Sequence, residues 1–193
     1  MARTREFDTE KALEDAMQAF WDLGYGETSI EDLVARTGVS RYGLYSAFES
    51  KEGLFLAALE RYQDKIVGAM FGPVETPDAG RAAIEAYFDR LIRAARKPNG
   101  ARGCLMCNTA ADVADDDALF AEKVAEYQRR LQDGFSRALK RARARGEIAA
   151  DLPIAATADY LLALAMGMLI AVRSRVPLVH IKNMADVGLR VLG

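Results

Sequence analysis

Apolar positions recur along this chain at the spacing of helix turns, and no run of four to eight residues alternates as a strand does. Leu13, Ala16, Met17, Phe20 and Leu23 share one helical face and "GYG" follows as a stop, so a first helix is expected from after Asp8 to Leu23. Thr28 and Ser29 precede "IEDLVARTG", and Ser29 with Asp32 has capping-box spacing, which predicts a short second helix ended by Gly38. Ser40 is placed to cap a third, "RYGLYSAF", ending near Phe48. Ser50 caps a fourth from Lys51 to near Met70, carrying Leu54, Leu59, Tyr62, Ile66 and Met70, and "GPVETPDAG" breaks it.

A fifth helix is expected from Ala79 to Lys97, then "KPNGARG" interrupts before "CLMCNTAADV". A long charged helix runs from Asp117 to Arg145 and Gly146 closes it. After Pro153 an Ala-, Leu- and Met-rich helix reaches Arg173, and Pro177 sets off a last one between His180 and Leu192. All five prolines fall outside the periodic runs on this reading. The expected fold is all-α, with about nine helices: a three-helix head over residues 1–50 and a second helical domain over residues 51–193.

Composition agrees with a packed core, since 51% of the 193 residues are hydrophobic and 28% charged. The strongest apolar stretch, Tyr160 to Val172, is shorter than the ~20 residues that span a bilayer. Arg3 and Arg5 run into Glu6, Asp8 and Glu10 without the apolar core of a signal peptide, so a soluble, cytoplasmic chain with no membrane partner is expected. Two cysteines and one histidine are too few for a disulfide scaffold or a closed zinc site. With no nucleophile–base pair, glycine-rich phosphate loop or metal constellation, the sequence points to no enzyme, no cofactor and no metal. A net charge of −2 excludes a binder that grips nucleic acid by charge alone.

The informative stretch is Thr28 to Lys51, "TSIEDLVARTGVSRYGLYSAFESK". Two short helices joined by "TGVS" make a helix-turn-helix, in which Gly38 relieves the turn, Val39 fills the angle and Ser40 starts the second helix. In such units the second helix enters the DNA major groove. The stretch resembles the TetR (tetracycline repressor) family of bacterial transcription regulators in Thr28-Ser29-Ile30 with Asp32-Leu33-Val34, in Gly38-Val39-Ser40, and in "LYxxFxxKxxL" formed by Leu44, Tyr45, Phe48, Lys51 and Leu54. Beyond residue 60 the likeness is in helix count, length and order.

Leu33, Leu44 and Phe48 are expected to pack with Phe20 and Leu13. The resemblance implies that Tyr45 contacts a phosphate. Lys51 places an ammonium at a helix start, which the macrodipole disfavours unless an anion is near, and a DNA phosphate supplies one. Thr28 and Ser29 can cap, meet a phosphate, or both. Ser40, Arg41, Tyr42 and Ser46 form the outward set of the recognition helix, with Arg41 suited equally to guanine O6 and N7 or to a phosphate. Gly43 serves either close approach to DNA or tight packing. Residues 1 to 51 carry six Lys or Arg against ten Asp or Glu, so two heads are expected to act together, as a symmetric dimer on a palindromic site in double-stranded DNA. Arg3 and Arg5 read as a minor-groove arm or as a solubilising tail.

For the second domain the resemblance implies a homodimer interface made by the last two large helices and a pocket for a small-molecule effector. Leu161, Leu162, Ala165, Leu169 and Val172, with Met184 on the last helix, are the expected interface; His180 and Val187 are candidates to share it, and a helix buried within the domain is the alternative reading. Phe88, Leu91, Met106, Phe120, Tyr127, Leu131 and Met166, with Cys104 and Cys107, are the expected pocket lining, which suits an apolar or aromatic effector. The two thiols stand one turn apart after a glycine, readable as an oxidant or electrophile sensor or as small core residues. Arg137, Lys140, Arg141, Arg143 and Arg145 read as a solvated face, and Asp112, Asp115, Asp116 and Asp117 as a helix start. The expected function is a homodimeric repressor released from a palindromic operator by its effector, with a Cys104/Cys107 thiol switch on the same head as the alternative.

Overall fold

Side chains of Asp8, Ser29, Ser40 and Ser50 each accept a backbone N–H three residues on, and so begin the first four helices. In the computed structural model, which describes residues 7–112 and 118–193, Asp8 opens α1 (Thr9–Leu23) and Ser29 opens α2 (Ile30–Thr37). Ser29 and Asp32 form the reciprocal capping box, with bonds of 3.1 and 2.9 Å. Ser40 accepts from Gly43 at 3.2 Å to start α3 (Arg41–Phe48), and Ser50 accepts from Gly53 at 3.0 Å to start α4 (Lys51–Tyr62).

The rod that begins at Lys51 does not end near Met70. It passes through a π-turn, Gln63–Val67, into α5 (Gly68–Glu75), so that Pro73 lies inside a helix and the break starts only after Glu75. Proline forfeits one backbone bond there, but the segment is held from outside. Phe71 and Val74 are buried, Glu75 accepts from Arg130 at 2.8 and 2.7 Å, and Arg90 Nε donates to the Met70 carbonyl at 2.9 Å. Tertiary anchoring of this kind overrides local propensity.

There follow α6 (Arg81–Ala95), a 3-10 turn (Gly100–Arg102), α7 (Leu105–Asp112), α8 (Ala118–Ala144), α9 (Ile154–Arg173), α10 (Leu178–Gly188) and a closing 3-10 turn, Leu189–Leu192. With α4, the π-turn and α5 taken as one rod, the described residues hold nine helices and no strand, as the periodicity predicts. Asp112 ends α7 instead of starting the long helix; Asp115, Asp116 and Asp117, like Arg3 and Arg5, lie outside the described residues. Arg141 and Arg145 are not merely a solvated face, since they donate to the Thr76 and Asp78 carbonyls at 2.9 Å each and tie down the turn before α6.

Met17, Phe20, Leu33, Leu44 and Leu54 fill the angle between α1, α2, α3 and α4, with Leu13 and Phe48 packed at its edge. Edge-to-face aromatic contacts carry this core into the second domain: Phe20 to Phe55 at 4.8 Å, then Phe55 to Phe120 of α8 at 4.9 Å. Helix α9, at 20 residues, is by length and composition long and apolar enough to cross a membrane, unlike the shorter stretch noted in the sequence. Here it is a bundle helix that packs on α8 and α10 and buries Leu161, Ala165 and Met168.

Candidate DNA interface and effector cavity

The second helix of the helix-turn-helix presents its polar side to solvent. Ser40, Arg41 and Ser46 are exposed and Tyr42 is 79% exposed, far more than a tyrosine kept for packing would be. The Arg41 guanidinium lies 5.3 Å from the centre of the half-buried Tyr45 ring, so the two form one cationic, aromatic patch beside the helix. Lys51, at the first turn of α4, rests its ammonium 4.4 Å from the Tyr25 ring centre, and burial lowers its pKa from the ordinary lysine value. That ammonium is desolvated and sits at the positive end of a helix, so an approaching phosphate would relieve both penalties.

Thr28 leaves the phosphate-facing set. It is fully buried and its hydroxyl donates to the Gly24 carbonyl at 2.5 Å, closing the turn after α1. Ser29 is exposed, with its hydroxyl engaged in the capping box. Gly43 answers to packing: a Cβ there would stand 2.8 Å from Val39 Cγ1, in the angle of the helix-turn-helix itself. Sequence reasoning passed over Gly53, where a Cβ would collide with the Phe48 carbonyl oxygen. The close approach of α3's end to α4's first turn needs a glycine, and that approach fixes Lys51 beside the recognition helix.

The acids of the head are largely answered within the fold. Arg61 binds Glu10 at 2.5 Å and Glu14 at 2.7 Å, Lys11 binds Asp15 at 2.5 Å, and Arg36 pairs with Asp22. Except for Arg36 these partners lie on α1 and α4, away from the exposed side of α3. The Glu14 carboxyl, raised by desolvation, is nonetheless held below the usual range by hydrogen bonds from Arg61 and Gln18 and by the Arg61 charge.

A cavity of about 390 Å³ opens between α1, α4, the π-turn, α6, the Gly100–Arg102 turn and α9. Of the expected lining, Leu91, Cys104 and Tyr127 are in its wall. Phe88, Met106, Cys107, Phe120 and Leu131 are buried elsewhere in the core, and Met166 is half-buried away from it. Periodicity shows that a side chain turns inward; it does not tell a void from a packed neighbour. Gln18 and Trp21 of α1, with Arg102, also line the cavity and were missed. Their polar or amphipathic character gave no cavity signal, because the contact is long-range.

Arg102 joins the cavity to the head. Its Nη1 donates to Gln18 Oε1 at 2.6 Å and meets Asp22 Oδ1 at 3.3 Å, and its guanidinium lies 4.2 Å from the Trp21 ring centre. Asp22 is shared with Arg36 in the last turn of α2. The indole nitrogen of Trp21 is buried and has no hydrogen-bond partner among the described residues.

Cys104 and Cys107 are both free and buried. Cys104 stands just before α7, 3.7 Å from the Tyr127 hydroxyl. Burial pushes its thiol up, but hydrogen bonds with the Cys107 thiol, Tyr62, the Cys107 N–H and Tyr127 outweigh this and lower it to about 6. The hydrogen bond to Cys104, burial and the Cys104 charge push Cys107 up in turn.

The outward faces of α9 and α10 carry Tyr160, Ile170, Val179 and Val187, exposed large apolar residues on neighbouring helices. The residues expected at the interface are less exposed than these. Leu161 and Ala165 are wholly buried within the chain, and Leu169 and Val172 line the cavity, while Leu162 and Met184 are half-buried. Helix α9 is apolar on every side, so its pattern could not say which side meets its own core.

The comparisons agree with this geometry. Residues 12–58 match the family described as "Bacterial regulatory proteins, tetR family", and residues 80–176 match "Tetracyclin repressor-like, C-terminal domain". The chain is 31% identical over 193 residues to the uncharacterized HTH-type transcriptional regulator YezE of Bacillus subtilis (strain 168), covering 100% of both. It is 30% identical over 190 residues to the HTH-type transcriptional repressor ComR of Escherichia coli (strain K12), covering 98% of this chain and 90% of that one. A cysteine mutant of the TetR family transcriptional regulator CifR, solved with 26-bp double-strand operator DNA, superposes with a TM-score of 0.89 at 24% identity over 100% of both chains. The reduced form of E. coli NemR superposes at 0.84 with 19% identity, covering 95% of this chain and 96% of that one. The chain belongs to the TetR family of DNA-binding transcriptional regulators.

Proposed function

We propose that the protein is a homodimeric repressor that leaves a palindromic operator when a small apolar or aromatic effector enters the cavity. The observation that carries this reading is the make-up of the cavity wall. Gln18 and Trp21 belong to α1, the helix that packs directly on α2 of the helix-turn-helix, while Leu91, Tyr127 and Leu169 belong to the second domain. An effector wedged between them changes where the head sits on the domain that holds the dimer, and with it the spacing of two heads that must reach half-sites one helical turn apart. In this division of labour residues 1–50 read DNA in the cytoplasm and residues 51–193 hold effector and partner.

Ser40, Arg41, Tyr42 and Ser46 enter the major groove, and Ser29, Tyr45 and Lys51 meet phosphates. The second subunit docks on the face of α9 and α10 that exposes Tyr160, Ile170, Val179 and Val187. The thiol switch is the weaker alternative: both sulfurs are buried, and the cavity offers a ligand a route that needs no oxidation. The test is operator binding by fluorescence anisotropy, using the inverted repeat nearest the gene and compounds that shift Trp21 emission. Release of operator by such compounds supports the reading, and emission shifts with unchanged operator affinity overturn it. Light scattering at micromolar concentration that returns one chain's mass, 21.2 kDa, overturns the dimer.

A further inference from the structure

The cavity wall is unevenly charged. Lys97 and Arg102 bring two cations to it, and no Asp or Glu lines it. Cys104, a wall thiol whose pKa is lowered by hydrogen bonds with Cys107, Tyr62 and Tyr127, sets one negative charge against these two cations and leaves the wall with a positive excess. Trp21 adds the face of an indole over which the Arg102 guanidinium lies, 4.2 Å from the ring centre. The remaining wall is apolar or aromatic, with Phe71, Tyr87 and Leu91.

Arg102 is held in a way that leaves it open to a better partner. Its short bond, 2.6 Å, is to the neutral amide oxygen of Gln18. The carboxylate it meets, Asp22, is 3.3 Å away, more than a third exposed and shared with Arg36. A carboxylate inside the cavity would offer a guanidinium two charge-assisted bonds in a drier setting.

Resting on the reading of this cavity as the effector site, we infer that the effector is a small aromatic carboxylate, whose anionic end is held by Arg102 in place of Asp22 and Gln18. The aromatic body fills the apolar part of the wall. Binding frees Asp22 to serve Arg36 alone and cuts the tie between α1 and the Gly100–Arg102 turn. The same Arg102 thus selects the ligand's charge and reports its arrival to α1 and α2.

Trp21 is the chain's one tryptophan, so its emission reads the cavity directly. The probes are 4-phenylbutyrate, its uncharged amide 4-phenylbutyramide, and butylbenzene, titrated into the full-length protein. The carboxylate is expected to bind about tenfold or more tighter than the amide, in line with the extra strength of charge-assisted bonds. Arg102→Gln is expected to abolish that preference. Asp22→Asn, which removes the competitor, is expected to tighten the carboxylate several-fold, roughly, and leave the amide unchanged. Equal affinity of carboxylate and amide, or a preference that survives Arg102→Gln, overturns the inference while the cavity reading stands. If Arg102→Gln does not fold, Asp22→Asn decides, and no tightening overturns it. If none of the three probes changes Trp21 emission, the effector reading falls as well.

Discussion

Lys51 offers the sharpest test of how this head holds DNA. Its ammonium lies on Tyr25 at the first turn of α4, and the competing explanations are a phosphate contact and an intramolecular cation–π pair. They differ in salt dependence. Each phosphate neutralised contributes about −0.9 to the slope of log affinity against log salt. One Lys51 per head, doubled in a dimer, accounts for about −1.8 of that slope. Between roughly 50 and 200 mM salt the parent protein then loses about twelvefold more affinity than Lys51→Gln does. Lys51→Arg should keep the parent slope. The difference is independent of Arg41 and of any contribution from the N-terminal arginines, since these are common to all three proteins. The assay is operator binding by fluorescence anisotropy over a salt series, with urea melts run in parallel. Loss of the Tyr25 contact alone costs about 0.5–1 kcal/mol of fold stability. A Lys51→Gln protein that is less stable by that amount but shows the parent slope would refute the phosphate assignment and leave Lys51 as a brace for Tyr25.

Gly53→Ala places a methyl on the Phe48 carbonyl oxygen, and urea unfolding should show about 1–3 kcal/mol of destabilisation in spite of alanine's higher helix propensity. Val187→Glu, at a site 61% exposed, should convert the dimer to a folded monomer by light scattering, whereas Leu161→Ala should cost about 2–5 kcal/mol of fold stability through a core cavity. The Cys104 thiol is lowered to about 6, below the unfolded thiol near 8.5. Its contribution to stability is therefore complete above the unfolded value and is lost as pH falls through about 6. Cys107, pushed up, works the other way and removes stability as pH rises beyond the unfolded value. Urea melts of the parent should gain stability between about pH 6 and 8.5, a gain that Cys104→Ser should flatten.

The head was legible because its signals are local. Ser29 with Asp32, Ser40 and Ser50 each cap within three residues, and Gly38 adopts the left-handed turn with φ 70° that its position calls for. The second domain was legible in outline and not in assignment. Pro73 sits inside α5 because Arg130 and Arg90, from α8 and α6, hold that segment from across the fold, and no local rule contains those partners. The wall of this cavity was only partly legible for a related reason. Phe88 and Phe120 are the right kind of residue but pack on other aromatic rings, while Trp21 and Gln18 reach the cavity only because Arg102, more than 80 positions along the chain, folds back onto α1.

The same long-range pairing alters what the head's acidity means for DNA. By residue count the head repels a polyanion, and the count alone leaves the pairing of two heads as the remedy. In the fold, Glu10, Glu14, Asp15 and Asp22 of α1 are each spent on a cation of the chain, and Asp32 is spent on the Ser29 cap, which lowers its pKa through the Ser29 hydroxyl and N–H. Their fields are offset close to their source and screened beyond about 8–10 Å at ordinary ionic strength. Arg41 and Lys51, by contrast, rest on the faces of Tyr45 and Tyr25, partners that supply no net negative charge. The acids of α1 face cations and the cations by α3 face rings, so Arg41 and Lys51 keep their charge available beside α3, where Glu49 and Glu52 are the exposed acids. In the proposed dimer, two such recognition sides held at a fixed spacing would suffice for a specific operator while offering little grip on random DNA, and a ligand that altered the spacing would end repression without disturbing any charge at the DNA surface.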